Sequence, residues 1–312
     1  MSLFGPVNVE TRTRKGVILA GGTGSRLYPL TRCVVKQLLP VYDKPLIYYP
    51  LSVLMLAGVT DVLIISLPSE VPRFRALLGD GSQFGLRISW AEQTEPRGIA
   101  EAVLIARDFT RTEPFWLALG DNIIFGQGLP GLLTEVGRNE KGATVFCYPV
   151  SDARAYGVVE VDKNLRPVAL VEKPERPRSR LAVIGLYHYD SRAADMAAEL
   201  TPSGRGELEI TDLNRAYMSL GDLSVRRLGR GTAWLDAGTP DDLLSAASFV
   251  QAVEKRQGLK IACLEEIAYQ RKLIDLAQLE DLARDNGNNS YGQYLREIVM
   301  DARDDIETLK CT

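Results

Sequence analysis

One histidine, His188, occurs in 312 residues. That scarcity argues against Ser-His-Asp and Cys-His triads and against a histidine-rich metal site. His188 stands in the β-like run Leu186-Tyr187-His188-Tyr189 and reads as a structural position. Cysteine is nearly as sparse. Cys33, Cys147, Cys263 and Cys311 are scattered with no C-x-x-C pair, which argues against a zinc or disulfide framework and for a reducing compartment. Long apolar runs are missing too: Pro45 to Val59, the most apolar stretch, is too short to span a bilayer and is interrupted by Pro50 and Ser52. Met1 to Arg14 lacks the apolar centre of a signal peptide and reads as a mobile polar arm. No charge of one sign dominates, and a formal net charge of −3 gives no footprint for nucleic acid or an anionic membrane. The expected setting is the cytoplasm.

What is present is an ordinary globular composition, 46% apolar and 25% charged, in a length that suits one large domain or two closely fused ones. Apolar runs at Gly16–Ala20, Asp61–Ser66, Leu86–Trp90 and Phe115–Leu119 alternate with helical patterns. This alternation predicts an α/β fold, a Rossmann-like and mainly parallel sheet flanked by helices. Strands then crowd together at Ala143–Tyr148, Val158–Asp162, Val168–Glu172 and Leu181–Tyr189, a small antiparallel addition. Asp241–Gln257 carries apolar residues at helical spacing, Leu264–Ile298 reads as two or three further helices, and Asp301–Thr312 as a frayed polar tail.

The first strand feeds Leu19-Ala20-Gly21-Gly22-Thr23-Gly24-Ser25-Arg26-Leu27. Three glycines let the backbone turn sharply and bring its N–H groups close to a bulky anion, and Arg26 adds a planar fork of donors suited to phosphate oxygens. The dinucleotide fingerprint would need glycine where Leu27 stands, and the Gly-Lys-Ser/Thr of a Walker loop is absent, so a nicotinamide-dependent dehydrogenase is disfavoured. Ligands of such sheets lie beyond the carboxyl ends of the strands, where the loop and Asp121 both fall. Asp236 is a second carboxylate after a short apolar run. Either alone suits a cap or turn, but with a phosphate loop the two make a Mg²⁺ site, since magnesium takes one or two protein carboxylates plus substrate phosphates. Lys36 and Lys173 each close an apolar run and so lie at strand ends. Gln93 and Gly98 offer an amide and bare backbone able to read a nucleobase edge.

These segments in order resemble the glucose-1-phosphate thymidylyltransferase family of sugar nucleotidyltransferases. The match runs through Leu19–Leu27, Lys36-Gln37-Leu38-Leu39-Pro40-Val41-Tyr42-Asp43-Lys44-Pro45 and Gly120-Asp121-Asn122. It continues through Tyr156–Glu160, Glu172-Lys173-Pro174, Arg205–Asp212 and Trp234-Leu235-Asp236, from about Lys15 to about Leu295. The resemblance implies the reaction of dTTP with glucose 1-phosphate to give dTDP-glucose and pyrophosphate. It also implies that Leu19, Ala20, Gly21, Gly22, Thr23, Gly24, Ser25 and Arg26 hold the triphosphate, with Lys36 on the same phosphates. Gln93 and Gly98 would face the thymine, and Asp121 and Asp236 would hold Mg²⁺. Tyr156, Gly157, Glu172 and Lys173 would line the sugar-phosphate pocket.

By the same resemblance residues 15–240 form the catalytic core, with a nucleotide part over about 15–142 and a sugar-phosphate part over about 143–240. Residues 1–14 form the arm, 241–300 a helical region serving subunit contacts and regulation, and 301–312 the tail. A homotetramer with a feedback nucleotide sugar at a second site is implied as well. The chain departs from the family pattern at Ser25, Val35, Arg97 and Ile184, and loss of a hydroxyl at Ile184 bears on which sugar phosphate is accepted. The alternatives are another sugar 1-phosphate or UTP as substrate and, in another class, a non-catalytic sensor of nucleotide sugars.

Overall fold

Val17 and Ile18 are neighbours in the first strand, both fully buried, and they point into different cores. Side chains alternate across a strand, so a strand apolar at consecutive positions must be covered on both faces. The computed structural model describes residues 14–22 and 24–310, with side chains described as far as residue 305. Its strands are β1 (Lys15–Leu19), β2 (Pro40–Val41), β3 (Lys44–Pro45), β4 (Asp61–Ser66), β5 (Arg87–Glu92), β6 (Phe115–Leu119), β7 (Asn122–Gly126), β8 (Ala143–Pro149), β9 (Gly157–Val161), β10 (Pro167–Glu172), β11 (Leu181–Tyr189), β12 (Leu223–Arg227) and β13 (Thr232–Asp236). Its helices are α1 (Tyr48–Leu56), α2 (Val71–Leu78), α3 (Ile99–Ile105), α4 (Arg107–Thr110), α5 (Leu129–Val136), α6 (Ala193–Ala198), α7 (Ile210–Ser219), α8 (Pro240–Gln257), α9 (Leu264–Gln270), α10 (Leu276–Asp285) and α11 (Ser290–Lys310).

The main sheet runs β10-β9-β11-β6-β1-β4-β5, with β8 also paired to β11 and β12 to β8. Strand β1 lies parallel between β4 and β6, with Ile18 opposite Ile64 on one side and Ala118 on the other. Strand β11 pairs antiparallel with β6, so the antiparallel addition extends this sheet, as expected. Strands β7 and β13 form a separate antiparallel ribbon that places Asp236 opposite Asn122.

The tail expected from Asp301 onward is instead the end of α11, which continues to Lys310. No breaker interrupts it, Ala302 is buried, and Arg303 binds Glu280 at 2.8 Å. The polar arm expected at the start lies, up to residue 13, outside the described residues. Helix α8 starts where the sequence supplies a start signal: the Thr239 hydroxyl accepts from Asp242 N, Asp242 reaches back to Thr239 N, and Pro240 takes the first position.

Helix α8 also closes a buried ion cluster. Lys44 bonds to Asp43 and to Glu254 Oε1 (3.0 Å), Lys260 bonds to Asp43 and to Glu254 Oε2 (3.2 Å), and Ile261 N donates to Glu254 Oε1 (2.9 Å). The Tyr291 ring lies within 5.8 Å of both ammonium groups, a further attraction for them. The cluster therefore ties the β2–β3 hairpin, which follows Lys36 in the chain, to the C-terminal helices.

Burial pushes the Glu266 carboxyl up from 4.5 to about 7, against the hydrogen bonds from Tyr294 and Gln270. Its folded pKa exceeds its unfolded one, so its contribution to stability is complete below pH 4.5 and is lost as pH rises through 7. Glu266→Gln should therefore flatten the pH dependence of thermal unfolding over that window and raise the melting temperature at pH 8. A melting temperature at pH 8 below that of the parent would contradict the assignment.

Candidate active site

The glycine loop begins where β1 leaves the sheet. Ala20 N donates to Ile65 O (2.8 Å), Ser66 Oγ donates to Ala20 O (2.9 Å), and Gln37 Nε2 donates to Gly21 O (3.3 Å). Gly22 has φ +97°, a conformation L side chains rarely adopt, so the turn requires glycine there. Thr31 Oγ1 closes the far side by donating to Gly24 O (2.7 Å). Leu27 is fully buried and anchors the turn, which accounts for a leucine at that position, while Ser25 and Arg26 stay exposed. Thr23 lies outside the described residues.

At the carboxyl end of β6 the chain turns through Gly120-Asp121 into β7. Asn122 fixes this corner: its Oδ1 accepts from Trp234 Nε1 (2.6 Å) and Gly185 N (3.0 Å), while its Nδ2 donates to Asp121 Oδ1 (2.8 Å). The other oxygen of Asp121 takes the Lys36 ammonium; the lysine is buried and the Asp121 side chain keeps 22% of its surface exposed. Burial opposes ionisation of Asp121, yet Lys36 and Asn122 together hold its pKa below the usual carboxylate range. Asp236 goes the other way. Burial first, and then the negative charge of Asp121, push it up from 3.8 to about 6, with Lys36 and Arg26 opposing. Arg26, Lys36, Asp121 and Asp236 thus lie in one electrostatic neighbourhood.

Gln93 lies beside the same loop. A Cβ at Gly21 would stand 2.9 Å from Gln93 Oε1, so the bare backbone is what lets the amide approach. Gln93 is buried, and its Nε2 donates to Glu101 Oε2 (2.6 Å) and more loosely to Gly98 O (3.4 Å). Gly98 has φ +107°, and a Cβ there would fall 2.3 Å from Leu208 O, so no other residue fits.

Across the ribbon, the Tyr156 ring meets Trp234 edge-on at 5.2 Å. Gly157 stands opposite Glu172 in the β9–β10 pair, and Glu172 Oε2 accepts from Thr211 Oγ1 (2.5 Å) with Arg205 3.5 Å from its other oxygen. Burial raises the Tyr187 pKa first, and the charges of Glu172 and Asp121 add to it, so both carboxylates are within electrostatic reach of this tyrosine. Lys173 takes φ +42°, its N–H donates to Tyr156 O (3.1 Å), and its ammonium stays 3.7 Å from Glu172. It is the most exposed of these side chains at 46%, and no described contact joins it to the Lys36–Asp121 pair.

Asn122, Trp234 and Thr211 sit within the matching segments, but their supporting roles became visible only in the hydrogen bonds. Glu101 carried no sequence signal beyond an acid in the first turn of a helix. Of the departures, Ile184 is fully buried in the core with Trp116 and Leu186, Val35 is buried, and Arg97 pairs at the surface with Glu95 (2.9 Å). Among the described residues no three His, Cys, Asp or Glu side chains group as a metal cage. Two neighbouring carboxylates, one resisting ionisation chiefly through burial and then through the charge of the other, instead suit a hard divalent cation that takes its remaining oxygens from phosphates.

Residues 15–253 match the model of a family described as nucleotidyl transferase. The chain is 56% identical over 286 residues to the glucose-1-phosphate thymidylyltransferase of Xanthomonas campestris pv. campestris strain B100, covering 92% of this chain and 97% of that protein. It is 55% identical over 285 residues to the enzyme of the same description from Neisseria meningitidis serogroup A, covering 91% and 99%. A crystal structure from Bacillus anthracis, described as a glucose-1-phosphate thymidylyltransferase in complex with a sucrose, superposes with a TM-score of 0.70 at 38% identity, over 75% of this chain and 94% of that one.

Proposed function

The chain belongs to the nucleotidyl transferase family and, within it, to the glucose-1-phosphate thymidylyltransferases, and on that premise we propose that it joins dTTP and α-D-glucose 1-phosphate into dTDP-glucose and pyrophosphate. The observation that carries the reading is the Lys36–Asp121 pair beside Asp236, set next to the glycine loop at the carboxyl ends of β1 and β6. A phosphate oxygen of the sugar phosphate attacks the α-phosphorus of dTTP. The new P–O bond forms as the bond to the bridging oxygen breaks, and that electron pair leaves on pyrophosphate. The attacking oxygen is already ionised at neutral pH, so no histidine base is called for, and His188 is buried elsewhere against Trp116.

With no proton to move, the work is positioning and charge stabilisation. The loop N–H groups and Arg26 receive the triphosphate and the departing pyrophosphate. Lys36 exchanges its bond to Asp121 for the same phosphates. Gln93 and Gly98 face the thymine, Tyr156 and Gly157 make room for the sugar, Glu172 binds its hydroxyls, and Lys173 meets its phosphate. A magnesium ion held by Asp121 and Asp236 would neutralise phosphate charge.

Pyrophosphate release from dTTP and glucose 1-phosphate with Mg²⁺ tests the reading. Saturable binding without release would favour a sensor, and a preference for UTP above tenfold would remove the thymidylyl assignment. Lys173→Ala should raise KM for glucose 1-phosphate about tenfold and change KM for dTTP little, because its exposed ammonium serves binding of the sugar phosphate alone. An equal rise in both constants would contradict that role.

The same reading places the protein in the cytoplasm as a homotetramer with a feedback nucleotide sugar at a second site. It is supported by the resemblance, and no described helix is long and apolar enough to cross a membrane. Light scattering at four times the 34.4 kDa chain mass is the expected result.

A further inference from the structure

We propose that Glu101 is the positioning residue that sets base specificity, by locking the Gln93 amide with its nitrogen turned inward so that the site accepts a pyrimidine with an N3–H and rejects cytosine. The proposal rests on the reading that Gln93 faces the base. An amide has one accepting and one donating end, and the two swap places when the group rotates by half a turn. Around Gln93 both near partners are acceptors: a Glu101 carboxylate oxygen at 2.6 Å and the Gly98 carbonyl at 3.4 Å. A carboxylate offers no donor, so the rotated amide would set oxygen against oxygen at both contacts.

The orientation that remains leaves Oε1 on the side of Gly21, against the loop that receives the nucleotide. It also leaves one amide hydrogen held only by the long contact to Gly98 O, free to be given to a base carbonyl. Thymine and uracil present a matching pair, an N3–H donor beside an O4 acceptor. Cytosine presents the reverse, an N3 acceptor beside an N4 amine, and meets acceptor with acceptor and donor with donor. A site built around a buried polar group rejects a mispaired analogue strongly, because the group is left unsatisfied. Glu101 itself sits in the first turn of α3, one turn from the Gly98 backbone that only glycine can supply, and the Arg97 guanidinium lies within its electrostatic reach.

The test compares kcat/KM for dTTP and dCTP, each with glucose 1-phosphate, in the parent enzyme, Glu101→Gln, Glu101→Ala and Gln93→Ala. Both Glu101 variants free the amide to rotate. The preference for dTTP over dCTP should fall about tenfold or more in each, with the change in KM, and nucleotide binding by calorimetry should move the same way. A preference unchanged in the Glu101 variants but lost in Gln93→Ala would overturn the role of Glu101 and leave the base-facing role of Gln93 standing. A preference unchanged in all three would overturn the placement of Gln93, and the proposal with it.

Discussion

Asp236→Asn lowers turnover by about 10²–10³-fold and at the same time stabilises the ligand-free protein. In the proposed mechanism the loss follows from removing one of the two carboxylates assigned to the metal and the transferring phosphates, an electrostatic contribution comparable to a missing oxyanion donor. The gain follows from the sign of the shift. Asp236 has its pKa raised from 3.8 to about 6 in the folded chain, so its favourable contribution is complete below pH 3.8 and is lost as pH climbs through 6. At pH 8 the ionised carboxylate costs about 3 kcal/mol, which an amide of the same shape removes. Melting temperatures of the two proteins should therefore separate progressively between pH 3.8 and about 6, keep a constant offset above that, and converge below pH 3.8. Mg²⁺ with nucleotide should raise the melting temperature of the parent more than that of the variant. A variant less stable than the parent at pH 8 would contradict the account of a carboxylate kept from ionising by burial and by its neighbour's charge.

Glu254→Ala should destabilise the fold by about 3–5 kcal/mol, the usual cost of removing one partner from a buried ion pair. Lys44 and Lys260 would be left with Asp43 alone, and Ile261 N would lose its acceptor. The consequence reaches the site because Leu46 N donates to Leu39 O (3.0 Å) and Ile47 N to Gln37 O (2.9 Å), closing the hairpin directly onto the Lys36 turn. Chemical denaturation measures the first effect, and KM for dTTP in the folded fraction measures the second. Unchanged stability would show that the cluster is solvated and does not hold the hairpin.

The strand and the glycine turn that follows it were legible in the sequence because their demands are local: a short apolar run, then glycines able to take positive φ. The strands β1, β4, β5 and β6 followed from alternation of apolar runs with helices; β4 and β6 have the expected bounds, and those of β1 and β5 shift by a residue or two. The β7–β13 ribbon was not legible. Asn122-Ile123-Ile124-Phe125-Gly126 follows β6 after two residues, and its partner Thr232–Asp236 lies more than a hundred residues away, so nothing local marks either as a strand. That pairing nevertheless creates the site, since it sets Asp236 opposite Asn122. The Lys44–Glu254 contact spans 210 positions and was equally hidden. The charged residues after Asp301 suggested a frayed end, but their pairing with α10 is a tertiary contact that charge composition does not reveal.

Crystals grown with dTTP and Mn²⁺ in place of magnesium would test the central claim most directly, because manganese is located by its anomalous scattering. The account predicts one manganese peak touching the carboxylates of Asp121 and Asp236 and a triphosphate oxygen, with Lys36 moved off Asp121 onto the phosphates and Arg26 within reach of them. A nucleotide bound away from the Gly21–Arg26 loop, or a metal held by other residues, would contradict it.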